Sequence, residues 1–161
     1  MDLRLDRNVR TDARWLDEAR SKTWRTFLTA HAAVIERIER DLAREDMLPL
    51  GHYDVLLALS EAPDRRLRMN ELARAVVLSR SGLTRLVDRL EKAGLLRRER
   101  CDDDRRGCYA VLTEEGLAAM RRTWPVYAGG VSEHFGRHLD DEEVATLTEA
   151  LGRVLAAARA E

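Results

Sequence analysis

The sequence has no run of eighteen apolar residues, and so no segment that would cross a bilayer as a helix. Its first residues, Met1-Asp2-Leu3-Arg4-Leu5-Asp6, lack the apolar stretch of a signal peptide. A cytoplasmic protein is the expectation. The two cysteines are too few for a disulfide framework. There is no nucleophile–base pair, no glycine loop shaped to cradle phosphate and no specific metal motif, so neither an enzyme nor a bound cofactor is expected. Aromatics make up only 5% of the chain, while 35% is charged and 45% hydrophobic. That balance supplies a core and suits long, charge-laced helices. The length of 161 residues fits one domain, or one domain with an extension that needs a partner.

Net charge is also scarce, at −1, but the average hides an asymmetry. Residues 65–112 hold thirteen Lys/Arg against seven Asp/Glu, a local +6 that leaves −7 for the remainder. A basic middle between acidic flanks points to a polyanion-binding module on an acidic frame.

Hydrophobic spacing gives the elements. Residues 1–11 show no periodicity and are read as a loose terminus. From residue 12 to about 44, Trp24, Phe27, His31, Val34, Ile35, Ile38 and Leu42 recur at helical steps. Pro49 and Gly51 punctuate the chain before a short helix carrying Tyr53, Leu56, Leu57 and Leu59. Residues 65–68 suit a brief strand. Asn70 is a good N-cap for a third helix reaching Val76. Ser79 or Arg80 opens a fourth, whose apolar face is Leu83, Leu86, Val87 and Leu90, and Gly94 closes it. Two short strands, 95–100 and 108–112, flank a loop. Thr113 and the residues after it cap a fifth helix containing Pro125, and a last helix runs from about 140 to 158. The order is helix, turn, helix and two-stranded wing, framed by long terminal helices. The terminal stripes exceed what a small core covers, so a second copy of the chain is the economical partner. The expected fold is mainly α, with a small two- or three-stranded antiparallel wing. Residues 47–112 form the DNA-binding lobe, and 12–46 with 113–161 the dimerisation region.

The motifs Glu71-Leu72-Ala73, Leu83-Thr84-Arg85-Leu86-Val87-Asp88-Arg89-Leu90-Glu91 and Gly94-Leu95 follow one another. After them come Asp104-Arg105-Arg106 and Val111-Leu112-Thr113-Glu114-Glu115-Gly116. In order and spacing the chain resembles the MarR family of winged helix-turn-helix transcriptional regulators, from about residue 20 to 157. It departs from that pattern where Cys101-Asp102 replaces the Asp-Pro often found in the wing. The resemblance implies a homodimer built through the terminal helices. It also implies a repressor, less often an activator, that binds palindromic double-stranded DNA and is controlled by a small molecule or by redox state.

On the fourth helix, Ser81, Thr84 and Arg85 are expected nearest the bases, and Ser79, Arg80 and Arg89 nearer the phosphates. Solvation of an ordinary polar helix face is the plain alternative. At the hairpin tip, Arg105 and Arg106 suit a narrow minor groove, and Asp104 orients one of them. Alternatively one arginine serves only that ion pair. Trp24, Arg25, Phe27, His31, His52 and Tyr53 would suit an aromatic-acid effector, or are simply an aromatic core with a satisfied histidine. Cys101 and Cys108 flank the wing loop as a redox pair or as two reduced thiols. The resemblance weighs against the switch, because peroxide-sensing relatives carry their cysteine near the start of the first long helix. His134 and His138, with Glu133, Asp140 and Asp141 nearby, have a metal-like spacing, but Gly136 lies between them. A winged helix serving only protein–protein interaction is the remaining alternative, against which the basic residues speak.

Overall fold

The computed structural model describes residues 16–76, 80–101 and 104–160, without the side chains of 80, 81, 100, 101 and 104–108. The chain divides into two units, residues 1–36 and 37–161. Helix α1 (Glu18–Arg44) begins in the first and ends in the second. It is followed by α2 (Leu50–Glu61), β1 (Arg66–Arg68), α3 (Met69–Ala75), α4 (Arg80–Lys92), β2 (Leu96–Cys101), β3 (Asp104–Leu112), α5 (Glu114–His134) and α6 (Asp141–Arg159).

The start of α1 differs from the periodicity. Residues 16 and 17 are not helical, because Asp17 ends the preceding chain as a cap. Its carboxylate accepts the Arg20 N–H at 2.7 Å, satisfying a donor that the helix itself leaves unpaired. Residues 12–15 lie outside the described residues. Within the first unit the stripe is largely uncovered: Trp24 is 54% exposed and Phe27 41%. Their rings lie 6.1 Å apart, and His31 follows at 6.3 Å from Phe27.

In the second unit the core is built from one stripe of each element. Val55, Leu56 and Leu59 of α2 meet Leu72 of α3 with Val76 just beyond it, Leu83, Val87 and Leu90 of α4, Leu96 of β2, Ala110 and Leu112 of β3, and Leu117 of α5. The expected apolar face of α4 is thus buried, apart from the partly covered Leu86. The sheet is three-stranded and antiparallel, in the order β1-β3-β2.

Two further boundaries moved. Helix α3 starts at Met69 with Arg68 as its N-cap, in place of the expected Asn70, because β1 runs straight into it. Glu71 reaches back to accept the Arg68 N–H at 2.8 Å, and Asn70 instead accepts the Glu71 N–H. The second wing strand, β3, is also longer than its sequence suggests, while β2 keeps its expected length, shifted by one residue. Pairing with β2 carries the strand through an aspartate- and glycine-bearing stretch of low intrinsic β preference.

A close approach fixes where α5 leaves the wing. The Thr113 hydroxyl caps α5 by accepting the Gly116 N–H at 3.0 Å, and it donates to the Gly94 carbonyl at 2.7 Å. Gly94 itself sits at φ 75°, in the left-handed region that favours glycine. A Cβ on Gly116 would lie 2.0 Å from the Leu95 carbonyl oxygen, so only glycine fits there. The Leu-Thr-x-x-Gly pattern is therefore a lock between the exit of α4 and the start of α5.

Candidate nucleic-acid interface

Helix α4 carries its charge on the side away from the core. Thr84, Arg85 and Arg89 are exposed, opposite the buried Leu83, Val87 and Leu90. Arg80 and Ser81 occupy the first helical turn, with their side chains outside the described residues, as is Ser79 altogether. Arg89 stands near His52 of α2. Burial pushes the His52 imidazole below its ordinary pKa, and the Arg89 guanidinium adds to that. A shallow, mostly apolar groove lined by Met69, Asn70, Ala73, Leu83 and Thr84 separates α3 from α4.

The wing follows. Its register runs from Leu96↔Leu112 to Arg100↔Cys108, then shifts to Cys101↔Asp104. Arg105, Arg106 and Gly107 are taken up in this irregularity, so the two arginines lie within β3 and not in the expected hairpin loop. Residues 102 and 103, between the two strands in the chain, lie outside the described residues. The side chains of Asp104, Arg105 and Arg106 also lie outside them, and with them the expected Asp–Arg pairing. Cys101 and Cys108 are not cross-strand partners, since Cys108 pairs with Arg100.

Two features of this region are only faintly marked in the sequence. Arg66 and Arg68, alternate residues of β1, both lie over the Tyr109 ring of β3, at 5.0 and 5.5 Å from its centroid. Arg68 Nε also donates to the Tyr109 hydroxyl at 3.3 Å. The period-two Arg-Leu-Arg pattern was a signal for one basic face of the sheet. The second is Arg98 of β2, which bonds to both Asp88 and Glu91 of α4. Asp88 and Glu91, three residues apart on a basic helix, already marked a shared acceptor face.

The remaining candidates fall in both units. Trp24, Arg25, Phe27 and His31 belong to the first unit, all exposed, with Arg25 donating to the Ser21 hydroxyl at 2.8 Å. His52 and Tyr53 belong to the second, where Tyr53 is a core residue, 1% exposed and stacked on Tyr127 at 4.8 Å. His31 is a surface residue and not a core histidine. His134 and His138 do not share a helix, because α5 ends at His134 and His138 falls in a short 3₁₀ turn. The His134 ring is instead bonded to Asp41 at 2.6 Å. Among the described residues no group of three or more His, Cys, Asp or Glu gathers as a metal site. No described helix is long and apolar enough to cross a membrane.

This geometry has close counterparts. The MarR family model matches residues 46–107. The transcriptional regulator PecS of Dickeya dadantii is 31% identical over 135 residues, covering 79% of this chain and 76% of its own. Among solved structures, AbsC of Streptomyces coelicolor, a MarR family transcriptional regulator, is 38% identical with a TM-score of 0.80, covering 92% of this chain and 99% of that one. Sco3205 from the same organism, a MarR family regulator in complex with DNA, is 38% identical with a TM-score of 0.79, covering 89% of each chain. The chain belongs to the MarR family of transcriptional regulators, winged-helix proteins that bind DNA.

Proposed function

We propose that two copies of this chain form a repressor that binds a palindromic operator, each copy placing α4 in a major groove and its wing over the adjoining minor groove. The observation that carries this reading is the division of α4, with one face locked into the core and Thr84, Arg85 and Arg89 held outward on the other. A rigidly seated helix presenting hydroxyl and guanidinium groups suits base edges and phosphates. Ser81, Thr84 and Arg85 meet the bases. Ser79, Arg80 and Arg89 meet the backbone. Arg105 and Arg106, oriented by Asp104, meet the minor groove, where the strand irregularity turns that part of β3 out of regular pairing.

Dimerisation through residues 12–46 and 113–161 is supported by the apolar side chains that the single chain leaves uncovered. Helix α6 has no buried residue, yet Val144, Leu147, Leu151, Val154 and Leu155 share its apolar stripe. A small effector, an aromatic acid in the first instance, would release DNA by changing the spacing of the two α4 helices. The exposed Trp24, Phe27 and His31 rings support aromatic recognition in the first unit. Such a regulator works in the cytoplasm, with its DNA.

The test is Arg85→Ala, assayed by gel shift on a duplex recovered from a random pool with the wild-type protein. Loss of a bidentate base contact costs about 1–3 kcal/mol, roughly 5- to 150-fold in affinity. Unchanged affinity would remove Arg85 from the reading surface.

A further inference from the structure

Two readers on one chain work together only if the angle between them is fixed. Between α4 and β2 lie three residues, Ala93, Gly94 and Leu95, with Gly94 in the left-handed region. A second link spans the gap from further along the wing. Arg98, three residues into β2, turns its side chain back onto α4. Its Nη1 donates to Glu91 Oε2 at 2.6 Å and its Nη2 to Asp88 Oδ1 at 2.5 Å. Its backbone N–H donates to Glu91 Oε1 at 3.0 Å. One residue of the strand thus holds two carboxylates one helical turn apart. The guanidinium plane gives the joint a direction that a point charge would not. Asp88 and Glu91 are both of the acidic residues of α4, and both are turned to this task.

We propose that Arg98 is a positioning residue for DNA binding: clamped to Asp88 and Glu91, it fixes the wing against α4 so that the wing arginines reach the minor groove while α4 fills the major groove. This rests on the assignment of Arg105 and Arg106 to DNA made above. Arg98 touches no DNA in this role, and its effect passes through the wing.

The clamp separates from simple charge through Glu91→Ala. Removing a negative charge beside a phosphate backbone tightens binding if charge alone matters. It weakens binding if the clamp matters. The full-length chain is assayed on the duplex recovered from a random pool, with urea unfolding to confirm that each variant is folded. Glu91→Ala and Arg98→Gln are each expected to lose roughly tenfold in affinity, within the range of coupled neighbouring groups. Hydroxyl-radical protection should fade at the flanking minor grooves and persist at the half-site centres. Combining either variant with Arg105→Ala/Arg106→Ala should cost little beyond the wing substitution alone, because the wing contact is already gone. Equal or tighter binding by Glu91→Ala, or losses that multiply in the combined variants, would overturn the role given to Arg98 and leave the wing assignment standing. A wing substitution that by itself changes nothing would overturn both.

Discussion

Asp41 and His134 are 93 positions apart in the chain and 2.6 Å apart in the fold. The His134 hydrogen bond holds the Asp41 carboxyl below its ordinary pKa of 3.8, outweighing the opposing cost of desolvation, with the charges of His134, Arg44 and Arg40 adding to it. A carboxyl depressed in the folded state binds fewer protons there than in the unfolded chain. Its stabilisation is therefore complete above the ordinary carboxylate value and is lost as pH falls through the native one. Urea midpoints of the wild type should fall more steeply than those of Asp41→Asn between about pH 5 and pH 2. Near neutrality Asp41→Asn should be the less stable of the two. Parallel curves would show that the pair does not couple α1 to α5. No local pattern announces such a pair. His134 read as half of a metal spacing because its neighbour His138 is four positions away in sequence, whereas its true partner comes from another helix. The same reason hides the donor of the Arg98 clamp: Asp88 and Glu91 share a face of α4, but a salt bridge between elements leaves no period that names its partner. Tyr53 shows a related limit. Its aromatic ring suited an effector wall or a core equally well, and only the stacked Tyr127 places it in the core.

Elements were more legible than pairs, because burial imposes a period. The stripe Leu83-Leu86-Val87-Leu90 identified both the core face of α4 and, by subtraction, its outward face. Boundaries were less legible, since they depend on what precedes the element. Asn70 is the better N-cap by residue type, yet the extended Arg68 at the end of β1 takes that place, with Glu71 accepting its N–H, and the helix begins at Met69. The length of β3 is hidden in the sequence because aspartate and glycine favour loops, and cross-strand pairing overrides that preference. Thr113 at the junction of wing and α5 is legible as a cap, whereas the need for glycine at 116 follows only from the Leu95 carbonyl beside it. Gly116→Ala places a methyl group where backbone oxygen already sits, so α5 must retreat from the wing. The expected cost is about 1–3 kcal/mol or more in urea unfolding, in line with overpacked interiors. Thr113→Gly, which loses the hydroxyl but adds no bulk, should cost less. Wild-type stability in Gly116→Ala would contradict the lock.

The described chain leaves a large apolar surface uncovered on its last helix. A 19-residue helix with no buried residue gains little from propensity alone and needs a partner surface. Its Leu147 and Leu151 are 37% and 42% exposed, on the same face one turn apart. Leu147→Glu with Leu151→Glu should convert a dimer into a monomer in sedimentation at micromolar concentration. A variant that sediments like wild type would move the interface off α6. Loss of the dimer should also cost operator affinity far beyond any single α4 contact, since two half-sites bound by one rigid body reinforce each other.

A pair of these chains is proposed to read a two-fold DNA site with α4. Selection from random-sequence duplex DNA with the purified full-length protein tests it most directly. The expected result is enrichment of an inverted repeat whose half-site centres lie about 10 base pairs, or a multiple of that, apart. Recovery of a lone half-site without its inverted partner, or no enrichment over the starting pool, would contradict it.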